Sequence, residues 1–272
     1  MGASVSVLPV KRGDRIFVEL AAGPEAVREA QALRYRVFGE EMGAKLKSGS
    51  SRLDVDEFDD YCHHLLVRET KSGRLLGCTR LLNGSAAHRL GRFYAESEFD
   101  LGPIAQLPGR LLEVGRTCIS PECRHGSAIA VLWSGLAGYI RLHTIDYLFG
   151  CASVPLGEND FQAAAIMNRL RRQAMSPPSL RVIPRMPLLN SDVPDDVLDA
   201  PLPALLKAYV RLGAKACGEP CRDPDFDVGD VLMLLDVSQL HPAYARHFLE
   251  RACQIYDETI ASSCGMAPCH DR

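Results

Sequence analysis

Short apolar runs of strand length alternate along this chain with longer segments whose apolar residues recur at helical spacing. Residues 15–20, reading RIFVEL, have the branched and aromatic content of a strand, and Gly23-Pro24 punctuates its end. Over residues 25–39, Val27, Ala30, Leu33, Arg34 and Val37 recur three and four apart and predict a helix. A polar loop is expected at 45–60. Residues 63–68 and 73–82 then read as a hairpin whose turn contains Lys71-Ser72-Gly73. A connector carrying Phe93-Tyr94 and Glu98-Phe99 leads to a strand at 111–120. The helix predicted at 127–143 sets Ile129, Leu132, Trp133, Leu136, Tyr139 and Ile140 on one face. A strand at 147–154 and a helix from about 159 to 173 follow. Beyond the Ser176-Pro177-Pro178-Ser179 breaker the pattern gives a helix at 202–211, a strand at 230–237 and a helix at 244–260.

Strands in series followed by a strand–helix–strand unit imply an α/β fold, a mixed central sheet covered by helices on both faces. The strands at 111–120 and 147–154 would run parallel through their crossover helix. No repeat breaks the chain, so one domain is expected over 15–260. It divides into a core half, 15–175, and a C-terminal elaboration, 180–260, with a disordered tail at 261–272.

At 272 residues, 47% hydrophobic and 24% charged, the chain can bury a sizeable core. A net charge of −3 argues against a general polyanion binder, nucleic acid included. Neither a signal-peptide pattern nor an apolar run of the roughly 20 residues that span a bilayer is visible. A cytoplasmic protein is expected, with peripheral contact at the cytoplasmic membrane left open. Ten cysteines without a CxxC pair, in a chain with no secretory signal, suggest neither a disulfide framework nor a metal site.

The chemistry concentrates in LLEVGRTCISPECRHGSAIAVLW, residues 111–133, where Glu113 and Arg116 interrupt a buried strand. At strand period two these residues face opposite sides unless the strand bulges, and Gly115 makes a bulge cheap. They form either a buried structural pair or part of a site. The turn Arg124-His125-Gly126-Ser127 opens a helix whose N-terminus suits a phosphate. The acids Asp54, Asp56, Glu57, Asp59 and Asp60 are a solvated loop or a cation site. Residues 161–191 hold Arg169, Arg171, Arg172, Arg181 and Arg185 and no acid, which is a docking face for an acidic partner or an ordinary solvated helix end.

This order of elements resembles the GNAT N-acyltransferase fold, in which a bulged strand and an R/Q-x-x-G-x-G/A turn receive coenzyme A. The turn matches in part, since Gly126 follows Arg124 by two positions, and this favours a carrier protein's single phosphodiester over the coenzyme A diphosphate. Arg34 and Arg36 with Phe38, Asp56-Glu57-Phe58-Asp59, Arg80 and Glu113-Val114-Gly115-Arg116 resemble the pattern of acyl-homoserine-lactone synthases. The fuller resemblance is to the ornithine lipid N-acyltransferase family. It runs through LRYRVFGEEMGA, DEFDDYCHHLLV, FYAESEFDL, LPGRLLEVGRTCISPECR, YLFGCASV, the long block from Leu205 to Asp236, and YARHFL, and so covers most of residues 15–250.

That resemblance implies transfer of a 3-hydroxyacyl chain from acyl carrier protein to the α-amine of L-ornithine. The donor's 4′-phosphopantetheine arrives with the substrate, and no permanent cofactor or metal is implied. Glu113 would be the base, while Arg116 or Arg80 holds a carboxylate. Asp56 and Asp59, with Glu41, would neutralise the side-chain ammonium, and Arg34 and Phe38 match the family's N-terminal pair. Backbone N–H groups from Gly115 to Cys118 would polarise the thioester. Arg124, His125, Gly126 and Ser127 would hold the donor's phosphate. The Tyr that many relatives use as acid for the leaving thiol is missing after Val154, and Cys151 or Ser153 could substitute in a role left unassigned. Arg169, Arg171 and Arg172 would dock the carrier. The alternatives are an N-acyl amino acid or homoserine-lactone synthase with another acceptor, and a catalytically silent carrier-binding module.

Overall fold

The computed structural model describes residues 7–8, 15–47, 49–124, 127–188 and 200–240. In chain order the elements begin β1 (Val7–Leu8), β2 (Ile16–Leu20), α1 (Pro24–Arg34), β3 (His63–Glu69), β4 (Leu75–Asn83) and α2 (Gly84–Leu90). They continue β5 (Phe99–Asp100), α3 (Gly102–Ala105), β6 (Leu111–Ile119), α4 (Ala128–His143), β7 (Tyr147–Pro155) and α5 (Phe161–Gln173). Last come β8 (Ile183–Pro184), α6 (Ala204–Leu212), β9 (Lys215–Ala216), β10 (Cys221–Asp223) and β11 (Val228–Asp236). The helix expected at 244–260 and the tail at 261–272 lie outside the described residues.

One sheet runs β1-β2-β3-β4-β6-β7-β11-β10, with β9 pairing β11 as well. Only β6 and β7 are parallel, joined through α4 as the crossover requires. The residues of β4 from Leu75 to Leu82 are all buried, as expected for a central strand covered on both faces. Alternation along β3 assigns those faces. Leu65 and Val67 pack beneath α4 with Leu132, Leu136 and Tyr139, while Leu66 packs beneath α1 with Ala30, Leu33 and Val37. Burying a Leu or Val here is worth about 1.5–3 kcal/mol, so a one-residue slip of β3 would exchange both faces at once. β11 lies antiparallel along the whole of β7, from Val228↔Pro155 to Asp236↔Tyr147, and carries the C-terminal elements into the same sheet.

Two expectations are corrected. The first helix keeps regular geometry to Arg34 and then widens into a π-helical turn, Tyr35–Glu41. Such widening is common near functional sites, and here it keeps Val37 and Phe38 inward while Arg34 is only 1% exposed. The connector after β4 contains helix α2. Its start is capped by Asn83 Oδ1, which accepts from Ala86 N–H at 2.9 Å, and Gly91 ends it at φ 96°.

Candidate active site

The site begins with a slip in the ladder between β4 and β6. Cys78 faces Cys118 and Arg80 faces Gly115, so Thr79 stands opposite both Arg116 and Thr117. Arg116 takes up the extra residue at φ 51°, a left-handed conformation that costs a non-glycine residue about 1–2 kcal/mol. Thr79 Oγ1 donates to the Gly115 carbonyl at 3.2 Å and shares a 2.7 Å hydrogen bond with Thr117 Oγ1, which pins the bulge. On its other edge β6 pairs with β7 only from Leu111↔Tyr147 to Glu113↔Phe149. Gly150 marks the parting point, where an added Cβ would lie 2.2 Å from the Val114 carbonyl oxygen. Past it opens a cavity of about 690 Å³, lined by Glu113, Gly115, Arg116 and Cys118 of β6, Arg80 of β4, and Cys151 and Ser153 of β7. Nothing stands within 4 Å of where a Gly115 Cβ would be, so its backbone faces open space.

Glu113 is 4% exposed, and its two oxygens accept the backbone N–H groups of Tyr94 and Ala95 at 2.7 Å each. Burial pushes its carboxyl up to about 7, although those two donors pull the other way. It does not pair with Arg116. The bulge aims that guanidinium at Asp54 Oδ2, 3.2 Å from Nε, and at the Tyr94 hydroxyl, which accepts from Nη1 at 3.1 Å. The guanidinium also stacks 4.8 Å from the Tyr94 ring centroid and 5.4 Å from that of Phe226.

Asp54, Asp56 and Asp59 of the 45–60 loop are engaged by arginines. Arg34 Nε donates to Asp54 Oδ2 at 2.8 Å, and Nη1 and Nη2 grip Asp59 in a fork at 2.9 Å each. Arg80 Nη1 reaches Asp56 Oδ1 at 2.5 Å and Asp59 Oδ1 at 3.0 Å. Burial alone would raise the Asp59 carboxyl, but the Arg34 hydrogen bonds and the charges of Arg34 and Arg80 hold it well below the ordinary range. Asp56 and Asp59 do not line the cavity, and neither does Arg34. Glu41 is likewise engaged, accepting from Arg124 Nη1 at 2.5 Å and Nη2 at 2.8 Å. Asp56, Asp59 and Glu41, the residues expected to meet an ammonium, are each paired with a guanidinium here, while Asp56 Oδ2 is buried without a hydrogen-bond partner.

Of the expected donor-side groups, Arg124 reaches the cavity rim while Ser127, at the start of α4, is exposed. His125 and Gly126 lie outside the described residues. Phe38 lines the cavity and packs edge-on to Phe226, with ring centroids 5.5 Å apart. Cys118 Sγ sits 3.6 Å from Cys78 Sγ, both thiols free. The Arg169–Arg171–Arg172 face is not a bare cationic patch. Glu219, arriving from beyond 161–191, binds Arg171 at Nε (3.1 Å) and Nη2 (2.6 Å), and Arg169 reaches the Ala200 carbonyl.

Sequence reading passed over the opposite wall. Glu98, Asp223 and Asp230 also line the cavity, and one carboxylate oxygen from each lies within 4.8 Å of the others. Burial pushes Glu98 up to about 8, with the Asp230 charge adding to it, and burial pushes Asp230 up to about 6. An acid inside the apolar run VGDVLMLLD was the available signal. Toward α4 and α6 the cavity turns apolar, with Trp133 edge-on to Tyr209 at 5.3 Å. Such a space suits an acyl chain.

Residues 33–134 match the family described as acetyltransferase (GNAT) domain. The L-ornithine N(alpha)-acyltransferase of Rhodobacter capsulatus is 35% identical over 250 residues, spanning 86% of this chain and 95% of that protein. The enzyme of the same name from Rhizobium meliloti is 35% identical over 248 residues, 84% and 82% of the two chains. Among solved structures, the coenzyme-A-dependent acyl-homoserine lactone synthase BjaI superposes with a TM-score of 0.53 at 14% identity, covering 89% of this chain and 90% of its own. A shared fold around the parted strands and likeness along nearly the full length of ornithine-acylating relatives lead to one conclusion: the chain belongs to the L-ornithine Nα-acyltransferase family, on a GNAT fold.

Proposed function

We propose that this protein transfers a 3-hydroxyacyl chain from the 4′-phosphopantetheine arm of acyl carrier protein to the α-amine of L-ornithine, giving lyso-ornithine lipid. One observation carries the reading: a single cavity holds a buried carboxylate, a guanidinium pair and a strand edge without a partner. The names of the relatives support ornithine as acceptor. In this reading the thioester lies in the cleft between β6 and β7. The N–H groups of β6 past Glu113 receive its carbonyl oxygen as charge develops there. Arg80 and Arg116 hold the acceptor's carboxylate.

An α-amine is mostly protonated at neutral pH, so a base must free its lone pair before attack. Glu113 takes that proton through a water. Its raised pKa keeps a conjugate acid accessible near neutrality, while the Tyr94 and Ala95 N–H groups fix its position. The amine attacks the thioester carbon, the C–S bond breaks, and the thiol leaves with a proton. Cys151 is a poor source of that proton, since burial pushes its thiol well up. Ser153, which donates to Asp230 Oδ1 at 2.8 Å, is too weak an acid to act alone and would serve as a relay from the Asp230 carboxyl, which burial raises to about 6. The donor-protein surface is the Arg124 rim together with Arg169, Arg171 and Arg172, and salt should weaken that contact. Among the described residues no helix is long and apolar enough to cross a membrane, so an amphipathic product would leave by peripheral contact.

The test is thiol release from 3-hydroxyacyl carrier protein, and from the matching acyl-coenzyme A, with ornithine as acceptor. For Glu113→Gln the expected result is a kcat fall of about 100-fold or more, with loss of the limb near pH 7 in the kcat profile. An unchanged profile in a natively folded variant would remove Glu113 from the mechanism. Equal or better turnover with acyl-coenzyme A would remove the carrier protein.

A further inference from the structure

One wall of the cavity is acidic and takes no part in binding the donor or the α-carboxylate. Glu98, from the segment after α2, and Asp230, on β11, are 8% and 5% exposed, with Asp223 of β10 beside them. Asp230 Oδ1 is held by the Ser153 hydroxyl, but Glu98 Oε2 is buried with no hydrogen-bond partner. Neighbouring guanidiniums make their short contacts with other groups. Arg116 faces Asp54 and Tyr94, and Arg222 pairs with Asp160 at 2.5 Å. Two deeply buried carboxylates and a third at hand, with Arg116 acting on Asp230 through its charge while its guanidinium is turned to Asp54 and Tyr94, are costly to keep. They become favourable when a cation enters. Tyr94 stands between the walls: its hydroxyl accepts from Arg116, and its ionisation is opposed first by burial and then, against the pull of Arg116, by the charge of Glu98.

We infer that Glu98, Asp230 and Asp223 form the subsite for the distal ammonium of a diamino-acid acceptor, so this wall confers preference for a dibasic amino acid. The inference rests on the proposed acylation of an amino acid. The subsite is distinct from Asp54, Asp56 and Asp59, which do not line the cavity and pair with Arg34, Arg80 and Arg116. The cavity then has walls of opposite sign, with Arg80 and Arg116 toward the α-carboxylate and the acids toward the far end of the side chain. An ammonium brings three donors, enough to meet Glu98 Oε2 and one oxygen from each aspartate.

The experiment compares ornithine with norvaline, the same skeleton without the δ-amine, on wild type, Glu98→Gln and Asp230→Asn at a saturating acyl donor. Wild type is expected to prefer ornithine by about 100-fold in kcat/KM. Each variant should lose about 30-fold on ornithine, through KM, and change less than about 3-fold on norvaline. Equal losses on both acceptors, or an unchanged ratio, would overturn the inference. So would binding of Mg²⁺ or Ca²⁺ that disappears in the variants while the ratio persists, since the wall would then belong to a metal. If either variant fails to fold, Nδ-acetylornithine on wild type removes the charge from the substrate instead, and acceptance equal to ornithine's would count against the subsite. A wild-type protein that acylates norvaline and ornithine alike defeats the subsite alone. One that acylates no amino acid defeats the functional reading with it.

Discussion

Two groups of buried acids sit at this active site, made of the same residue types and treated by the fold in opposite ways. Asp54 and Asp59 meet the fork of Arg34, with Arg80 and Arg116 closing around them. Glu98 and Asp230 meet a hydroxyl, a thiol and each other. Burial disfavours the charged form in both groups, yet Asp59 is driven below the ordinary carboxylate range while Glu98 and Asp230 rise to about 8 and about 6. The sign of a pKa shift thus separates a structural acid, whose counter-ion is built in, from one whose counter-ion has to be supplied.

The comparison breaks hardest at Arg34. Arg34→Met should leave Asp54 and Asp59 buried without their principal partner and cost about 3–5 kcal/mol, measured by denaturant unfolding at neutral pH. Because the folded pKa of Asp59 is depressed, its contribution is full above the unfolded value. It is lost as pH falls from the unfolded value toward the folded one, so the gap between wild type and variant should narrow by more than half between pH 7 and pH 2. Convergence at neutral pH instead would show that the fork is not the anchor.

Asp230→Asn should act in the other direction. The folded pKa values of Glu98 and Asp230 are raised, so the native state binds more protons than the unfolded one between about pH 4 and pH 8. Stability therefore falls as pH rises through that window. Glu98, Asp223, Glu113, Cys151, Ser153, Tyr94 and Arg116 all face or border this wall, and Asn keeps the acceptor that Ser153 uses. The variant should gain about 2 kcal/mol over wild type at pH 8 and almost nothing at pH 4, read from melts at both values. A variant less stable at pH 8 would mean that the wall is not a stored cost. The smallest effect is expected at the divider. Tyr94→Phe removes the acceptor for Arg116 Nη1 and should cost about 1 kcal/mol in unfolding free energy. The same substitution should leave the ornithine-to-norvaline ratio within about 2-fold.

The acids also show how far the sequence could be read. Glu113 and Arg116 were legible because charges inside an apolar strand need a reason, and Gly115 beside them allowed the bulge that the ladder contains. Asp56 and Asp59 were equally visible, but their pairing with Arg80 and Arg34 was not. Nothing in local sequence says that Arg34, some 20 positions away, turns inward to meet Asp54. Asp230 lay within a strand assigned correctly, and Glu98 in a stretch read as connector, where helix α2 and its cap at Asn83 went unseen. The arginines at 169–172 looked unopposed because Glu219 comes from 48 positions beyond Arg171.

The longer strands and helices, the parallel crossover through α4 and the site-bearing strand β6 were legible in the sequence alone. Apolar period and glycine placement act over a few neighbouring residues and survive in one dimension. The partner of each charge was left to the tertiary structure. Ion pairing and desolvation depend on distances of a few ångströms between groups far apart in the chain. Only the folded sheet shows that one set of acids is gripped by arginines while the other is buried beside a hydroxyl and a thiol.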